Sequence, residues 1–496
     1  MSDKLQKARE YEAEYGGKIG ALDRPLFHLT PYVGWMNDPN GFSYYKGKYH
    51  MFYQYYPYES RWNDMHWGHA VSSDLLTWEY LPASMAPDMP FDEGGCFSGS
   101  AVEISDGRQL LMYTGLQAGE KDGRKVHFQV QNIAIGDGLN YEKYENNPVI
   151  DKSMLPEGAD DIDFRDPKVI RLKSGEYVCI VGSRPEDGSG QILMYKSADA
   201  IHWKYWKKLI ENKNRYGKMW ECPDFFELDG KWLLLTSPQD MLADGLEYHN
   251  GNGTVCVMGS FDENTGDFKE ERNQAIDYGI DFYAPQTVLA PDGRRIMIGW
   301  LQNWDGCAVR DQGELWAGQM SVPREIWLQN GRLYQKPVKE LENYRKDKVT
   351  ADNLELSGEM TIPGVSGRCV DMEVVVRPKN PENIYHKFAV NFAEDEKRYS
   401  SVSFRPHEAT LKVDRKYSGS RRAIVHQRRC LVEESKNGEI RLRIILDRFS
   451  AEVFVNDGAK VMSMGVYTDI TADEISFYCD GEAVVDLVKY DIKASK

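Results

Sequence analysis

The sequence has no run of roughly 18–20 consecutive apolar residues, which removes a membrane-spanning helix. It also lacks a basic surplus: Lys+Arg number 61 against Asp+Glu 77, a net charge of −16 with a pI near 5.2. A field of that sign repels phosphate backbones and anionic lipid, so neither nucleic acid nor a membrane is expected as a partner. The segment Met1–Gly20 mixes charges (Lys4, Lys7, Arg9, Glu10, Glu12, Glu14) where a secretory leader needs an apolar run, so the expected location is cytoplasmic. Cysteine is sparse: eight in 496 residues, at 96, 179, 222, 256, 307, 369, 430 and 479, with no CxxC pair. That scatter argues against a disulfide or zinc framework and suits reduced core thiols. Long amphipathic helical patterns are missing too. The exception is Ser2–Tyr15, where Ser2 can cap, Leu5, Ala8 and Tyr15 recur at near-helical spacing, and Gly16-Gly17 stops the run.

What is present is β-rich. Hydrophobic residues make up 41% and charged residues 28%, enough for a proper core. The length predicts two to four domains, or one large domain with an appendage. Short strand-like runs recur at Tyr49–Tyr56, Gln109–Tyr113, Tyr177–Val181, Trp232–Thr236 and Arg295–Trp300, bounded by Gly, Asp, Asn or Pro. Twelve Trp and 29 Tyr suit a planar, sugar-like or apolar ligand.

An internal repeat organises these runs. Ser72-Ser73-Asp74-Leu75-Leu76-Thr77-Trp78 resembles Ser197-Ala198-Asp199-Ala200-Ile201-His202-Trp203. Asp137 with Tyr141, and Ser260-Phe261-Asp262, are looser copies. The aspartates at 74, 137, 199 and 262 are spaced by 63, 62 and 63 residues. A fixed period holding four strands is the signature of a propeller blade. An all-β chain is expected: an N-terminal helical extension over 1–22, a five-bladed β-propeller over 23–340, a charged linker over 341–350 and a β-sandwich over 351–496. For the last region, Met372–Arg377, Tyr399–Phe404, Glu439–Leu446 and Ser450–Val455 read as strands, with a hairpin turn at Asn456-Asp457-Gly458.

Three carboxylates stand in unusual surroundings. They are Asp38 in Trp35-Met36-Asn37-Asp38-Pro39-Asn40-Gly41, Asp166 in Phe164-Arg165-Asp166-Pro167, and Glu221 in Trp220-Glu221-Cys222-Pro223-Asp224. With the segments Cys96–Ser100 and Asp281–Gln286, the positions 38, 98, 166, 221 and 281 step by 60, 68, 55 and 60 residues, about one per blade. Equivalent points of successive blades converge on the propeller axis, so these five would line one pocket. Convergent carboxylates suit glycosidic cleavage: one ionised to attack or stabilise the anomeric carbon, one protonated to help the leaving oxygen depart. A third can hold hydroxyls and oppose the positive charge of the transition state. Taken singly, each motif is also an ordinary turn, ion pair or strand end.

These motifs, with Phe52-Tyr53-Gln54, Met65-His66-Trp67-Gly68-His69-Ala70 and Met320-Ser321-Val322-Pro323-Arg324-Glu325, resemble glycoside hydrolase family 32, the invertase and β-fructofuranosidase family. The resemblance implies a five-bladed propeller followed by a β-sandwich. It matches Asp38 to the nucleophile, Glu221 to the general acid/base and Asp166 to the transition-state stabiliser. Asn37, Gln54, Trp62, Phe97, Ser98, Arg165, Asp281 and Trp300 match positions lining the fructose subsite. Two positions depart from the family pattern: Tyr56 follows Tyr55 where Asn before Pro is usual, and Asn63 replaces a common Gly after Trp62.

The expected activity is retaining hydrolysis of sucrose and short fructo-oligosaccharides, with sucrose-6-phosphate accepted and inulin slow. The substrate is a small molecule, and neither metal nor cofactor is implied. Transfer to another sugar, fructan β-fructosidase activity, an inverting pentosidase and an inactive sugar-binding propeller are the rivals. Oligomeric state stays open. Lys46, Lys48, Arg61 and Arg310 are the cations available for a phosphate. His66 and His69, Cys222, and Trp67, Trp78 and Trp203 are read as packing or tuning residues, and the sandwich as a structural support.

Overall fold

The computed structural model describes residues 1–185, 187–306, 315–419 and 425–493. Cys307 and Arg310 lie outside the described residues. Five sheets form the blades of a propeller. Their first strands are Gly34–Tyr45, Cys96–Glu103, Ala159–Arg171, Trp220–Leu228 and Tyr283–Leu289. These touch one another in a closed ring around the axis. The five strand-like runs of the sequence are the second strands of the five blades. Neighbouring blades cover both faces of these strands, so their centres are continuously apolar and buried.

The 62–63-residue period has a local cause. The Oδ1 of each repeat aspartate accepts backbone N–H groups two and three residues on: Leu76 and Thr77, Leu139 and Asn140, Ile201 and His202, Asn264 and Thr265. This side-chain turn joins the third and fourth strands of blades 1 to 4. Blade 5 makes the same connection with Asn330-Gly331, both at positive φ, which is why the aspartate series stops there. Strand Trp316–Ala317 pairs in parallel with Gly34–Trp35 of blade 1 and closes the ring. Helix α1, Asp3–Tyr15, is capped by the Ser2 hydroxyl accepting from Leu5 N, and it packs on blade 1.

The charged stretch expected as a linker over 341–350 is instead built structure. A 3-10 turn, Lys339–Tyr344, leads directly into the 22-residue strand Arg345–Ser366, and alternate exposure along that strand explains its charge. The strand pairs with Glu474–Ile492, whose first half also pairs with Lys387–Glu394 and whose second half pairs with Val370–Pro378. One long bent ribbon thus feeds both layers of the C-terminal β-sandwich. The sandwich is locked to the propeller by buried charge. Arg324 meets Glu452 at 2.5 Å and Asp277 at 3.0 Å, and His28 sits between Asp447 (2.8 Å) and Glu452 (2.9 Å).

Candidate active site

The first strand of every blade breaks register at an equivalent place. The shifts bracket Asn37-Asp38, Phe97-Ser98, Asp166-Pro167, Cys222-Pro223 and Ala284-Pro285. A proline cannot donate to the ladder and is tolerated in a strand at such a bulge, which accounts for Pro39, Pro167, Pro223 and Pro285 on inner strands. The bulge also lets adjacent side chains reach the same side, where a regular strand would send them to opposite faces. Asp166, Cys222 and Ala284 take φ of 65°, 48° and 51° there, a left-handed conformation costly for residues other than glycine.

The bulges surround a cavity of about 560 Å³ lined by Asn37, Asp38, Gln54, Trp62, Phe97, Ser98, Arg165, Asp166 and Glu221. Asp38 has two unlike oxygens. Its Oδ2 accepts from Ser98 Oγ at 2.7 Å and Cys222 Sγ at 3.3 Å, while Oδ1 has no protein partner. Gln54 Nε2 donates to Ser98 Oγ at 3.0 Å, and Asn37 is fixed by Trp35 Nε1 at 2.8 Å. Asp166 Oδ2 accepts from Cys222 N at 2.9 Å. Burial, then the charge of Glu221, raise Asp38 above the ordinary carboxylate range. Burial also raises Asp166, to about 7; Arg165 opposes this, while Glu221 and Asp38 add to it.

Glu221 is held by Arg165 on Oε1 (Nε 3.1 Å, Nη2 2.9 Å) and by Tyr283 on Oε2 at 2.6 Å. The Tyr283 hydroxyl also lies 2.9 Å from Ser237 O. With Glu221 ionised, the tyrosine donates to it; with Glu221 protonated, the acid donates to the tyrosine oxygen, whose proton turns to Ser237 O. One contact therefore accommodates either protonation state of the carboxyl.

Two expected site residues lie elsewhere. Asp281 does not line the cavity: it is buried against Arg415 of the sandwich and accepts from Gly465 N at 2.7 Å. Trp300 is fully buried and packs on Trp35 and Trp304, with centroids 6.0 and 4.9 Å away. Its neighbour Trp304 reaches the cavity instead.

Gln129, Asp163, Gln239, Asp240 and Asn252 complete the lining. Asp163 was open to inference, because it lies two residues before Arg165 on the same strand face and binds it at 2.7 Å. Gln239, Asp240 and Asn252 come from the 239–254 connection of blade 4, which carries no motif. The remaining side chains singled out in the sequence pack. His69 stacks on Phe52 at 4.0 Å, His66 binds Asp64 O, Trp67 binds Phe97 O at 3.0 Å, and Trp203 binds Ala200 O at 3.2 Å. Trp78 is half-buried against the core of blade 1.

Residues 28–337 match the glycosyl hydrolases family 32 N-terminal domain, and residues 338–494 match the C-terminal domain of the same family. The chain is 33% identical to a raffinose invertase of Escherichia coli over 98% of both chains. It is 34% identical to a sucrose-6-phosphate hydrolase of Escherichia coli over 97% of both. A β-fructofuranosidase of Bombyx mori, solved in complex with sucrose, superposes with a TM-score of 0.83 at 32% identity, covering 99% of this chain and 98% of that one. A five-bladed propeller with three carboxylates at its axis, a C-terminal sandwich and these matches over the whole length lead to one conclusion: this chain is a glycoside hydrolase and belongs to family 32.

Proposed function

We propose that the protein hydrolyses β-fructofuranosides, sucrose and short fructo-oligosaccharides foremost, with retention of configuration. Asp38 attacks the fructosyl C2 and Glu221 protonates the leaving oxygen, giving a fructosyl ester on Asp38. Glu221, now a carboxylate, takes a proton from water, which attacks the ester and releases fructose and Asp38. Asp166 holds sugar hydroxyls and opposes the positive charge of the transition state. Asn37, Gln54, Trp62, Phe97, Ser98 and Arg165 shape the fructose subsite. The observation that carries this reading is the convergence of Asp38, Asp166 and Glu221 on one cavity, with Asp38 anchored there by Ser98 and Cys222. NMR of the first-formed fructose anomer tests it; an inverted first product overturns the covalent route.

The lining favours neutral sugars. Among its described residues Asp38, Asp163, Asp166, Glu221 and Asp240 face one cation, Arg165, already bound to Glu221 and Asp163. Lys46 donates to Asp137 O, Lys48 pairs with Glu79 and Arg61 with Glu59, so these three are occupied at the surface. Sucrose is therefore expected to exceed its 6-phosphate and inulin in kcat/KM. A higher value for the phosphate, measured side by side, overturns this preference.

We also place the activity in the cytoplasm. All seven described cysteines are free thiols, six of them buried, which suits a reducing compartment, and no described helix is long and apolar enough to cross a membrane.

A further inference from the structure

Blade 3 carries a second irregularity, just before the bulge that presents Asp166. Where its first strand, Ala159–Arg171, pairs with its second, Tyr177–Pro185, Ser183 faces Phe164 and Pro185 faces Ala159. Residues 160–163 therefore lie opposite Arg184 alone. Asp160 makes the turn within that excess, its Oδ1 accepting Ile162 N at 2.7 Å and Asp163 N at 3.4 Å. The turn sets Asp163 between two guanidinium groups. Its Oδ1 accepts from Arg165 Nη1 at 2.7 Å, and its Oδ2 from Arg184 Nη1 at 2.5 Å. Burial raises the Asp163 carboxyl, but the two arginines outweigh it and hold the group below the ordinary carboxylate range, so it stays ionised.

Arg165 meets that charge with the part of its fork that Glu221 does not use. Its Nε and Nη2 both donate to Glu221 Oε1, at 3.1 and 2.9 Å, while Nη1 is taken by Asp163 and lies 3.4 Å from Gln129 Oε1. A planar guanidinium bonded along two sides cannot turn without breaking one set of bonds. The result is a row of alternating charge, Arg184, Asp163, Arg165 and Glu221, running from the second strand of blade 3 to the carboxyl at the axis. The other groups facing Glu221 are Asp38 of blade 1, Asp166 of blade 3, Cys222 of its own strand and Tyr283 of blade 5. Near Asp163, Asp161 is paired with Lys121 at 2.5 Å, and Asp240 shares the cavity lining.

We propose that Asp163 and Arg184 are positioning residues: Asp163 fixes Arg165 against Glu221 and offsets its charge, Arg184 holds Asp163, and together they set the pH range over which Glu221 donates its proton. This rests on Glu221 being the general acid proposed above. Charge acts along the row with a definite sign. Removing the Asp163 charge leaves Arg165 unopposed, which favours the Glu221 carboxylate over the acid. Removing the Arg184 charge does the reverse.

The test is kcat/KM against pH for the full chain, on sucrose and on a nitrophenyl β-fructofuranoside, whose leaving group needs little protonation. Asp163→Asn removes the charge and keeps the shape. Its expected loss is on the order of 10² on sucrose, part of what general acid catalysis supplies, and about tenfold less on the nitrophenyl substrate. The alkaline limb of its sucrose profile is expected to move down by about one pH unit. Arg184→Gln is expected to move that limb up, and by less, because it acts from one place further out. Opposite displacements support the proposal. Displacements of one sign, or none, overturn it, since lost structural support carries no sign. Glu221→Gln, run alongside, keeps the two readings apart. If it spares the nitrophenyl substrate while Asp163→Asn costs both substrates equally, only the positioning role falls. If Glu221→Gln costs both equally, the general acid lies elsewhere and the positioning role falls with it. Should Asp163→Asn fail to fold, Arg184→Gln decides alone: a limb that moves up supports the role, and one that stays or moves down overturns it.

Discussion

At the front mouth of the axial channel, where the cavity lies, all five inner strands shift register, and chemistry is concentrated there. At the back mouth, on the opposite face, the same strands pair regularly, save for one further shift next to Gly41 in blade 1. The front sets five carboxylates against one arginine, whereas the back mixes four cations with five carboxylates. The contrast teaches where a repetitive fold can hold function. A regular ladder satisfies its own backbone groups and leaves side chains alternating. A bulge gives up part of that pairing, turns neighbouring side chains inward and frees backbone N–H groups, as Cys222 N toward Asp166 illustrates.

The sharpest way to break the contrast is to remove Asp38, the proposed nucleophile at the front. Asp38→Ala is expected to lose activity by a factor on the order of 10⁶, the scale seen when a covalent nucleophile is deleted. The loss should hold on sucrose and on a fructoside with a good leaving group alike. Residual activity above a thousandth of wild type on either substrate, in steady-state assays, would place the nucleophile elsewhere.

Glu221→Gln separates the second role. On sucrose the expected loss is about 10²–10⁴, and much less where the leaving group needs no proton. The same variant carries a pH signature. The charge of Glu221 is one cause of the raised Asp38, so its removal lowers the Asp38 pKa. Asp38 then stays ionised to lower pH, and the acid limb of kcat/KM on the activated substrate moves down. An acid limb that stays in place would remove Glu221 from the electrostatics of Asp38.

Much of this was legible in the chain, and for definite reasons. The period could be read because each repeat aspartate makes its turn within three residues, and the second strands because burial on both faces left unbroken apolar runs. The site motifs could be read because a bulge needs its own residues in place, proline among them. What escaped depends on distant partners. Asp281 shares its spacing with the true lining residues, but Arg415, 134 positions away, draws it to the sandwich. Trp300 and Trp304 are chemically alike and both pack on Trp35, so only their places in the fold separate the buried ring from the one that meets the cavity. The stretch 341–350 looked like a linker because the edge strand it enters, Arg345–Ser366, lies beside one long partner and needs few apolar residues.

The Asp281 pairing gives a third prediction, which tests whether the sandwich is a passive support. Arg415→Met leaves the buried Asp281 carboxylate without its cation, a change worth about 3–5 kcal/mol. Asp281 lies two residues before Tyr283, the donor to Glu221, so the damage is expected to reach the front mouth as a lower kcat with KM little changed. Urea unfolding and steady-state kinetics on the same preparation check both. Lost stability with an unaltered kcat would confine the sandwich to support.

The smallest effect expected is at the joint itself, far from either mouth. His28 is buried between Asp447 and Glu452, and their hydrogen bonds and charges outweigh burial and raise its pKa from 6.5 to about 9. Between those two values the folded chain keeps a proton that the unfolded chain has released. Stability from this group is therefore complete below about pH 6.5 and is lost as pH rises through about 9, on the order of 3 kcal/mol in all. Asp447 acts in the opposite sense. Its pKa is held down to about 2, chiefly by His28 against the cost of burial, so its contribution is present above pH 3.8 and is lost as pH falls through about 2. Wild type and His28→Gln should therefore diverge most near pH 6 and converge toward pH 9 in urea unfolding. The variant should lack the alkaline decline, because glutamine has no proton to lose. Parallel curves across that window would mean that His28 is neutral in the fold and adds no charge to the pairing of Arg324 with Glu452.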